Sequence, residues 1–290
     1  MNIQNRQSGF TLVEVIIVIS IMGIIGGLSA LIIGRSLDSY AALERRTDMQ
    51  TSIRLAVERM SRELRNALPH SICVNNGGGC IASGNRFYFI PVKDSGRYQD
   101  KPGAYVGGPA ILRDRLPVTP QSRDRFDVLS TNSTNRLNAA NPDWAVVYNI
   151  NNIDVYAGTN DVRKQISVVD QKDIQNDANL NNDIDQIQFV GGNQSFAKHS
   201  PTRRFHIIEN DNVTIFYLDG TNLRRATTTF GAPNAPAANS PLLMENIQAC
   251  TFTFTPGSPQ RAGLLRIDIT VAQQGETIQV IHDAHVYNTP

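Results

Sequence analysis

The chain has 290 residues, of which 41% are hydrophobic, so it is long enough to bury a core and to form one or two domains. Lys and Arg together number 27 and Asp and Glu 26, which leaves a net charge of +1. Such a balance offers no excess positive field for coating nucleic acid, and three cysteines are too few for a disulfide scaffold.

The most apolar part of the chain lies near its N-terminus. Residues 15–34 form an uninterrupted stretch without a charge. A helix of that length rises about 30 Å, which matches the hydrocarbon thickness of a bilayer. The stretch is also longer than the apolar region of about 7–15 residues in a cleaved secretory signal. We therefore expect one membrane-spanning helix here.

One acidic residue, Glu14, stands at the start of this stretch, after residues 10–13. A carboxylate at the centre of a membrane helix costs about 2.5–3.5 kcal/mol, so such residues are usually paired or functional. The alternative is that Glu14 lies at the level of the lipid headgroups and is solvated. It is preceded by a short polar leader, residues 1–9, which holds one basic residue, Arg6, and ends in Gly9.

The segment Gly9-Phe10-Thr11-Leu12-Val13-Glu14, followed by the apolar stretch, resembles the signal of type IV pilins and type II secretion pseudopilins. The resemblance implies that a prepilin peptidase cleaves after Gly9 and methylates the new amino group of Phe10. It also implies that Glu14 neutralises the terminal amine of a neighbouring subunit during assembly. In a medium of low dielectric constant, two such charges remove each other's desolvation penalty.

Residues 35–68 predict a continuation of this helix, because they contain neither Gly nor Pro and are rich in strong helix formers. Apolar residues recur there at spacings of three and four, which places them on one face: Ile53, Val57, Met60, Leu64 and Ala67. Pro69 disfavours helical geometry at the residue before it, so the helix is predicted to end at Leu68. A helix over 10–68 would be about 90 Å long, and its last four turns or so would pack on a head.

After Pro69 the sequence changes to short β-type runs separated by Asn, Asp, Gly and Pro. The C-terminal part predicts a three-stranded antiparallel meander, over 248–255, 263–272 and 276–287. Its middle strand alternates polar residues with apolar ones that would face a core: Leu265, Ile267, Ile269 and Val271. Further strands are predicted over 86–92, 126–130, 144–150, 185–190, 204–208 and 213–218, and the least regular parts are expected at 93–125 and 227–241.

These elements predict an α+β protein, in which a long N-terminal helix packs on an antiparallel β-sheet head. The resemblance implies the same arrangement, the type IV pilin fold. The expected organisation is a leader (1–9), a transmembrane or filament-core helix (10–34), an amphipathic helix that continues into the head (35–68) and a periplasmic β-rich head (69–290).

The size of the chain and the sequence of residues 59–65 resemble those of the large minor subunits of this superfamily, the J-type pseudopilins and W-type minor pilins. The sequences of 250–257, 261–265 and 285–290 are similar to those of MshO-type minor pilins of the mannose-sensitive haemagglutinin (MSHA) pilus. This resemblance implies a non-enzymatic subunit that acts in pilus assembly or initiation and in adhesion. A J-type pseudopilin of a type II secretion system stays open as an alternative. So does a signal-anchored periplasmic enzyme or sugar-binding module.

The resemblance also implies a location and a set of partners. The chain would cross the inner membrane once, hold its head in the periplasm and then enter a pilus at the cell surface. The expected partners are other pilin and minor pilin subunits, the prepilin peptidase, the inner-membrane assembly platform and membrane lipid. Nucleic acid is not expected.

Two cysteines, Cys73 and Cys80, flank a loop with three consecutive glycines, which is flexible enough to let their side chains meet. Translocation of the head to the periplasm would place them where disulfides persist. We therefore expect a bridge between Cys73 and Cys80, and a buried free thiol at Cys250.

An Asn- and Asp-rich stretch places oxygen ligands at alternating positions, as in the first part of an EF-hand loop: Asp177, Asn179, Asn181, Asp183 and Asp185. The position of the last ligand falls on Gln188 instead of Glu, so the bidentate carboxylate is lost. A Ca²⁺ site and a solvated loop both fit this pattern. No catalytic or other cofactor-binding motif occurs in the sequence, so neither catalysis nor another cofactor is expected.

Overall fold

A single long helix begins the fold of this chain, and a head of antiparallel sheets follows it. The structure, a computed structural model, describes residues 11–99, 114–129, 138–140, 142–172, 184–237, 239–257 and 262–286. The chain forms two units, Met1–Thr51 and Ser52–Pro290, whose boundary falls inside the helix.

Helix α1 extends over Leu12–Leu64. It ends four residues earlier than the sequence predicts, because the backbone beyond it bonds to a strand of the head. The Leu68 N–H donates to the Ile90 carbonyl at 2.8 Å, and the Val92 N–H donates to the Asn66 carbonyl at 2.7 Å. These hydrogen bonds replace the intrahelical ones that would otherwise prolong α1.

Within the described residues, the second unit holds fifteen strands and one short helix. In chain order they are β1 (Cys73–Asn75), β2 (Ser83–Gly84), β3 (Arg86–Phe89), β4 (Val92–Tyr98), β5 (Arg125–Leu129), β6 (Trp144–Val146), α2 (Asn152–Ala157), β7 (Arg163–Lys172), β8 (Ile184–Phe189), β9 (Arg204–Ile208), β10 (Val213–Asp219), β11 (Asn222–Thr228), β12 (Leu242–Met244), β13 (Ile247–Thr255), β14 (Gly263–Gln273) and β15 (Glu276–Val286).

The strands form three groups. One sheet has the order β1-β3-β10-β11-β12, a second has the order β15-β14-β13-β2, and six strands close a barrel in the order β4-β5-β8-β7-β6-β9. The helix and the antiparallel pairing of the named strands confirm the predicted α+β class. The barrel is not predicted by the sequence, and it corrects the expectation of an irregular segment directly after residue 92, where β4 lies.

The barrel is inserted into the first sheet. All six of its strands come between β3 and β10 in the chain, and these two strands are direct neighbours, with Phe89 opposite Thr214. Its interior is filled by side chains, among which Phe126 meets Phe205 edge to face at 5.3 Å between ring centres. Gly96 faces the Phe205 ring so closely that a Cβ atom there would lie 2.7 Å from it. The barrel is therefore a packed core and not a channel.

The predicted C-terminal meander is confirmed. Strands β14 and β15 pair without interruption from Gln273 opposite Glu276 to Gly263 opposite Val286. The two residues between the strands, Gln274 and Gly275, both have positive φ, as a type I′ turn requires. The apolar residues predicted to face a core are buried: Leu265, Ile267, Ile269 and Val271.

The head's core begins with the last turns of α1. The predicted apolar face is confirmed, because all of its members are buried: Ile53, Val57, Met60, Leu64 and, just beyond the helix, Ala67. Aromatic rings join the two sheets, since Phe87 of β3 stacks on Phe216 of β10 at 5.2 Å and meets Phe252 of β13 at 4.7 Å.

Replacing Met60, which is fully buried, should measure how strongly the head depends on this helix face. We expect Met60→Ala to lower the free energy of unfolding of the head by about 2–5 kcal/mol, because it removes a buried side chain and leaves a cavity. Urea unfolding followed by fluorescence of the single tryptophan, Trp144, would report the loss. The matched control is Leu55→Ala, at a residue 62% exposed on the same helix, which should change the free energy by less than about 0.5 kcal/mol. Equal effects of the two variants would contradict this account of the core.

Candidate assembly segment and surfaces of the head

The N-terminal end of α1 is capped by Thr11. The Glu14 N–H donates to the Thr11 side-chain oxygen at 3.3 Å and to the Thr11 carbonyl at 3.1 Å. This is the threonine half of a Thr-x-x-Glu capping box. The reciprocal hydrogen bond, from the Thr11 N–H to the Glu14 carboxylate, is not formed in the described residues. The Glu14 carboxylate therefore lies in the first helical turn without serving its own helix cap.

The surface of α1 that follows Glu14 is apolar and exposed. Every residue from 11 to 40 is exposed in the structure, and the large hydrophobic ones among them show between 45% and 78% of their surface. Within the described residues, α1 is the one helix whose length and composition suit a membrane span. Apolar surface on this scale needs lipid or other apolar helices around it.

Charge is almost absent from this segment. Glu14 is the only charged residue between 11 and 34, and the next one is Arg35. The helix N-terminus partly stabilises the Glu14 carboxylate, because unpaired backbone N–H groups carry partial positive charge there. Gly9 and Phe10, the residues of the predicted cleavage and methylation site, lie outside the described residues.

A half-buried ion pair, which sequence reasoning missed, fixes the last turns of α1 on the head. The Arg225 side chain on β11 donates from Nε to both carboxylate oxygens of Glu63, at 2.8 and 3.0 Å. Arg59 donates to the same carboxylate at 3.1 Å. Sequence alone predicts the pairing of Arg59 with Glu63, four residues apart, but the partner from β11 depends on the tertiary fold.

Cys73 and Cys80 are joined by a disulfide in the structure, with their Cα atoms 5.2 Å apart. Just beyond Cys80, β2 lies so close to β1 that a Cβ atom at Gly84 would overlap the Asn75 backbone. Two cavities border Cys80 and Asn152, of about 410 Å³ and 610 Å³. The larger one is lined by aromatic side chains and small residues: Gly79, Tyr88, Tyr156, Ala157, Phe230 and Gly231.

Arg163 packs against Phe230, one of the residues that line this larger cavity. Its guanidinium lies over the Trp144 ring at 4.6 Å and over the Phe230 ring at 4.5 Å. Burial lowers the pKa of Arg163, and the charge of Asp211 opposes that shift. The two rings compensate part of the lost solvation, so this arginine holds β6, β7 and the residues after β11 together.

The third cysteine, Cys250, is free and buried on β13. Burial, and to a smaller extent the charge of Asp268, raises the pKa of its thiol to about 12. The thiol therefore stays protonated at neutral pH, and protonated thiols are poor nucleophiles and poor metal ligands.

Four of the five predicted Ca²⁺ ligands, Asp177, Asn179, Asn181 and Asp183, lie outside the described residues. The fifth, Asp185, is buried on β8. Its neighbour Gln186 donates to Asp127 at 2.7 Å and to Asp114 at 3.1 Å, which ties β8 to β5. No group of three or more metal-binding side chains occurs among the residues that the structure describes.

One comparison with known proteins is informative. A family model for the prokaryotic N-terminal methylation motif matches residues 4–30. The match supports a type IV pilin-like or pseudopilin-like protein, a structural class that associates with other pilins. Together with the exposed apolar helix, it indicates a membrane-anchored protein. No curated protein and no solved structure matches the chain.

His206 on β9 offers a test of the head at acidic pH. Both of its ring nitrogens are shielded from solvent and have no hydrogen-bond partner in the described part of the chain. Burial, with a smaller contribution from the charge of Arg204, lowers the pKa of His206 to about 4 from 6.5. The unfolded chain therefore binds this proton first, so stability falls as the pH drops from about 6.5 to about 4.

We expect His206→Leu to remove this part of the acid sensitivity. Between pH 7 and pH 4.5 the wild type should lose roughly 2–3 kcal/mol more stability than His206→Leu. Urea unfolding at the two pH values measures the difference. Arg204→Gln should reduce the loss slightly, because it removes the second cause of the shift. Identical pH dependence in wild type and His206→Leu would show that His206 is not buried as described.

Proposed function

We propose that this chain is a minor type IV pilin of the MSHA type, which is processed by a prepilin peptidase and incorporated into a pilus. Residues 1–9 would be removed as a leader, and 10–34 would form the transmembrane and then the filament-core helix. Residues 35–68 would continue into a periplasmic head formed by 69–290, with the type IV pilin fold. Its role would be in pilus assembly or initiation and in adhesion.

The observation that carries the proposal is an exposed apolar helix with one carboxylate in its first turn, inside a segment that matches the N-terminal methylation motif. Moving such a helix from lipid into a bundle of like helices exchanges one apolar environment for another, so the hydrophobic penalty is small. The energy difference between lipid and helix bundle then depends mainly on the charge of Glu14. Cleavage after Gly9 would leave a cationic amine at Phe10 on every subunit, and Glu14 would be its counter-charge on the neighbour.

Two alternative functions are consistent with part of the same observations. A J-type pseudopilin would have the same segment, and the subunits that co-purify with the chain would separate a pilus from a secretion system. A signal-anchored enzyme or sugar-binding module would need the helix only as a tether. In that case the leader would be retained, and Glu14 would be dispensable.

The decisive variant is Glu14→Ala, with Glu14→Asp as the charge-conserving control. We expect Glu14→Ala to stay in the inner membrane yet to be depleted at least ten-fold from sheared surface filaments, because the neighbour's amine lacks its counter-charge. Glu14→Asp should retain part of the incorporation. Quantitative immunoblots of the membrane and filament fractions measure both.

The mass of the N-terminal peptide supplies the second readout. A filament subunit that begins with methylated Phe10 supports the proposal. Normal incorporation of Glu14→Ala would remove the role of Glu14. A purified native chain that retains residues 1–9 would instead favour the tether.

A Ca²⁺ site at Asp177, Asn179, Asn181, Asp183 and Asp185 stays a prediction. If it exists, millimolar Ca²⁺ should raise the melting temperature of the head relative to EDTA, because ligand binding stabilises only the folded state. Asp183→Asn should abolish the rise, and Mg²⁺ serves as the control cation. Superimposable melting curves in Ca²⁺ and EDTA would leave the solvated loop as the correct interpretation.

A further inference from the structure

The sheet β15-β14-β13-β2 has one long open edge in the described part of the head. The other edge strands are short, because β1 and β12 have three residues each and β2 has two. The barrel strands form a closed ring. Strand β15 differs from all of these edges, since it has eleven residues and pairs with a neighbour on one side only.

The turn between β14 and β15 decides which backbone groups face the open edge. In a two-residue hairpin the residues that flank the turn, here Gln273 and Glu276, form a hydrogen-bonded pair. The even-numbered residues of β15 therefore bond to β14. The odd-numbered ones direct their N–H and C=O groups away from the sheet: Thr277, Gln279, Ile281, Asp283 and His285. No backbone hydrogen bond to these five occurs outside the strand ladder in the described structure.

This edge has little of the usual protection against strand pairing, since its charged residues are only Glu276 at its first position and Asp283, which is paired with Arg266 of β14. Strand β15 contains no Lys, Arg or Pro, and its register with β14 shows no bulge. Ile281, one of the outward-bonding residues, is 57% exposed. A long, regular and partly apolar edge is a template for an added strand.

A basic groove of about 400 Å³ runs beside this edge. It is lined by residues from the last turns of α1 and by one residue of β15: Leu55, Glu58, Arg59, Ser61, Arg62, Arg65 and His282. Arg59 is paired with Glu63, and Glu58 is paired with Arg54. Arg62 and Arg65 are exposed, and neither has an ion-pair partner within the described residues. Among the described residues, the groove therefore presents two unpaired positive charges beside His282.

We propose that β15 receives an extended segment of another subunit as an added antiparallel strand, with an acidic side chain opposite His282. The proposed function supplies only the class of protein that carries this segment. The inner face of β15 sets its pattern, because His282 lies there between Val280 and Ala284. An apolar–acidic–apolar order on the same face of the added strand would complement these three residues. The carboxylate would then point at Arg62 and Arg65.

The test uses the full-length chain in detergent micelles and a labelled, end-blocked peptide of sequence Thr-Val-Thr-Glu-Thr-Val-Thr. We expect fluorescence anisotropy to show saturable binding. Exchanging the peptide's glutamate for lysine should weaken binding at least five-fold. Methylating alternate peptide nitrogens on the bonding edge should abolish it, because the strand ladder cannot form.

Variants of the protein test the basic groove and the open edge of β15 separately. The double variant Arg62→Gln with Arg65→Gln should weaken binding of the glutamate peptide at least five-fold, whereas Arg204→Gln on β9, matched in chemistry, should leave it unchanged. Ile281→Pro should abolish binding, because it removes an outward N–H. Ile281→Thr, which keeps that N–H, should retain most of the binding.

Three outcomes would overturn the inference: no saturable binding, binding that is indifferent to peptide N-methylation, or equal affinity for the glutamate and lysine peptides. Self-association of the chain that Ile281→Pro abolishes, without peptide binding, would make a second copy the occupant and overturn it too. Peptide binding to β15 does not depend on cleavage of the leader, so this inference and the proposed function can fail separately. A wild type that enters filaments yet binds no peptide contradicts only this inference, and a peptide-binding chain that retains its leader contradicts only the assembly role.

Discussion

The constraint on which this protein depends is an apolar helix surface that water cannot solvate. Between residues 11 and 34 the helix exposes large aliphatic side chains on every side and carries a single charge. Lipid or other helices must therefore surround it at every stage. Glu14 is the single charge on this surface, and under the proposed function it would set the axial position of the helix among its neighbours.

The head differs from this helix segment, because it is built mainly of β-structure. The last turns of α1 are fixed by a buried apolar face and by the ion pair of Glu63 with Arg225, so the helix and the first sheet form one core. The barrel is attached to that core through a second apolar cluster, in which Val146 and Ile208 of the barrel meet Tyr88 and Ile215 of the sheet. The apolar helix segment and the β-structure are thus carried by separate parts of the chain.

Local sequence signals predict the fold well where apolar residues recur at a regular spacing. The helix, its buried face and the C-terminal meander follow from spacings of 3.6 and 2 residues, and β9 was predicted with the bounds that the structure has. Strand β4 was missed because Lys93, Asp94, Ser95 and Gly96 give it no alternating apolar pattern. Its strand geometry comes from barrel closure, which no local signal reports. Strand β11 of the first sheet was also missed, because its residues are mostly polar or positively charged and one of them, Arg225, pairs with Glu63 of the helix.

The two parts of the candidate site also differ in how far the sequence predicts them. The N-terminal segment is readable from sequence, because length, charge and motif all lie within one short stretch. The open edge and the basic groove are not, because they combine α1 with β15, which are more than 200 residues apart in the chain. No single-sequence pattern indicates that Arg62 and His282 border one groove; only the packing of the helix on the sheet does.

The insertion point of the barrel has an evolutionary consequence. Phe89 and Thr214 are ladder partners, so the two ends of the inserted chain leave the sheet roughly 5 Å apart. A module whose entry and exit are adjacent can be lengthened, shortened or exchanged with little strain on its host, as guest domains in other proteins are. Selection could therefore diversify what this head presents to its surroundings while the anchoring scaffold stays unchanged.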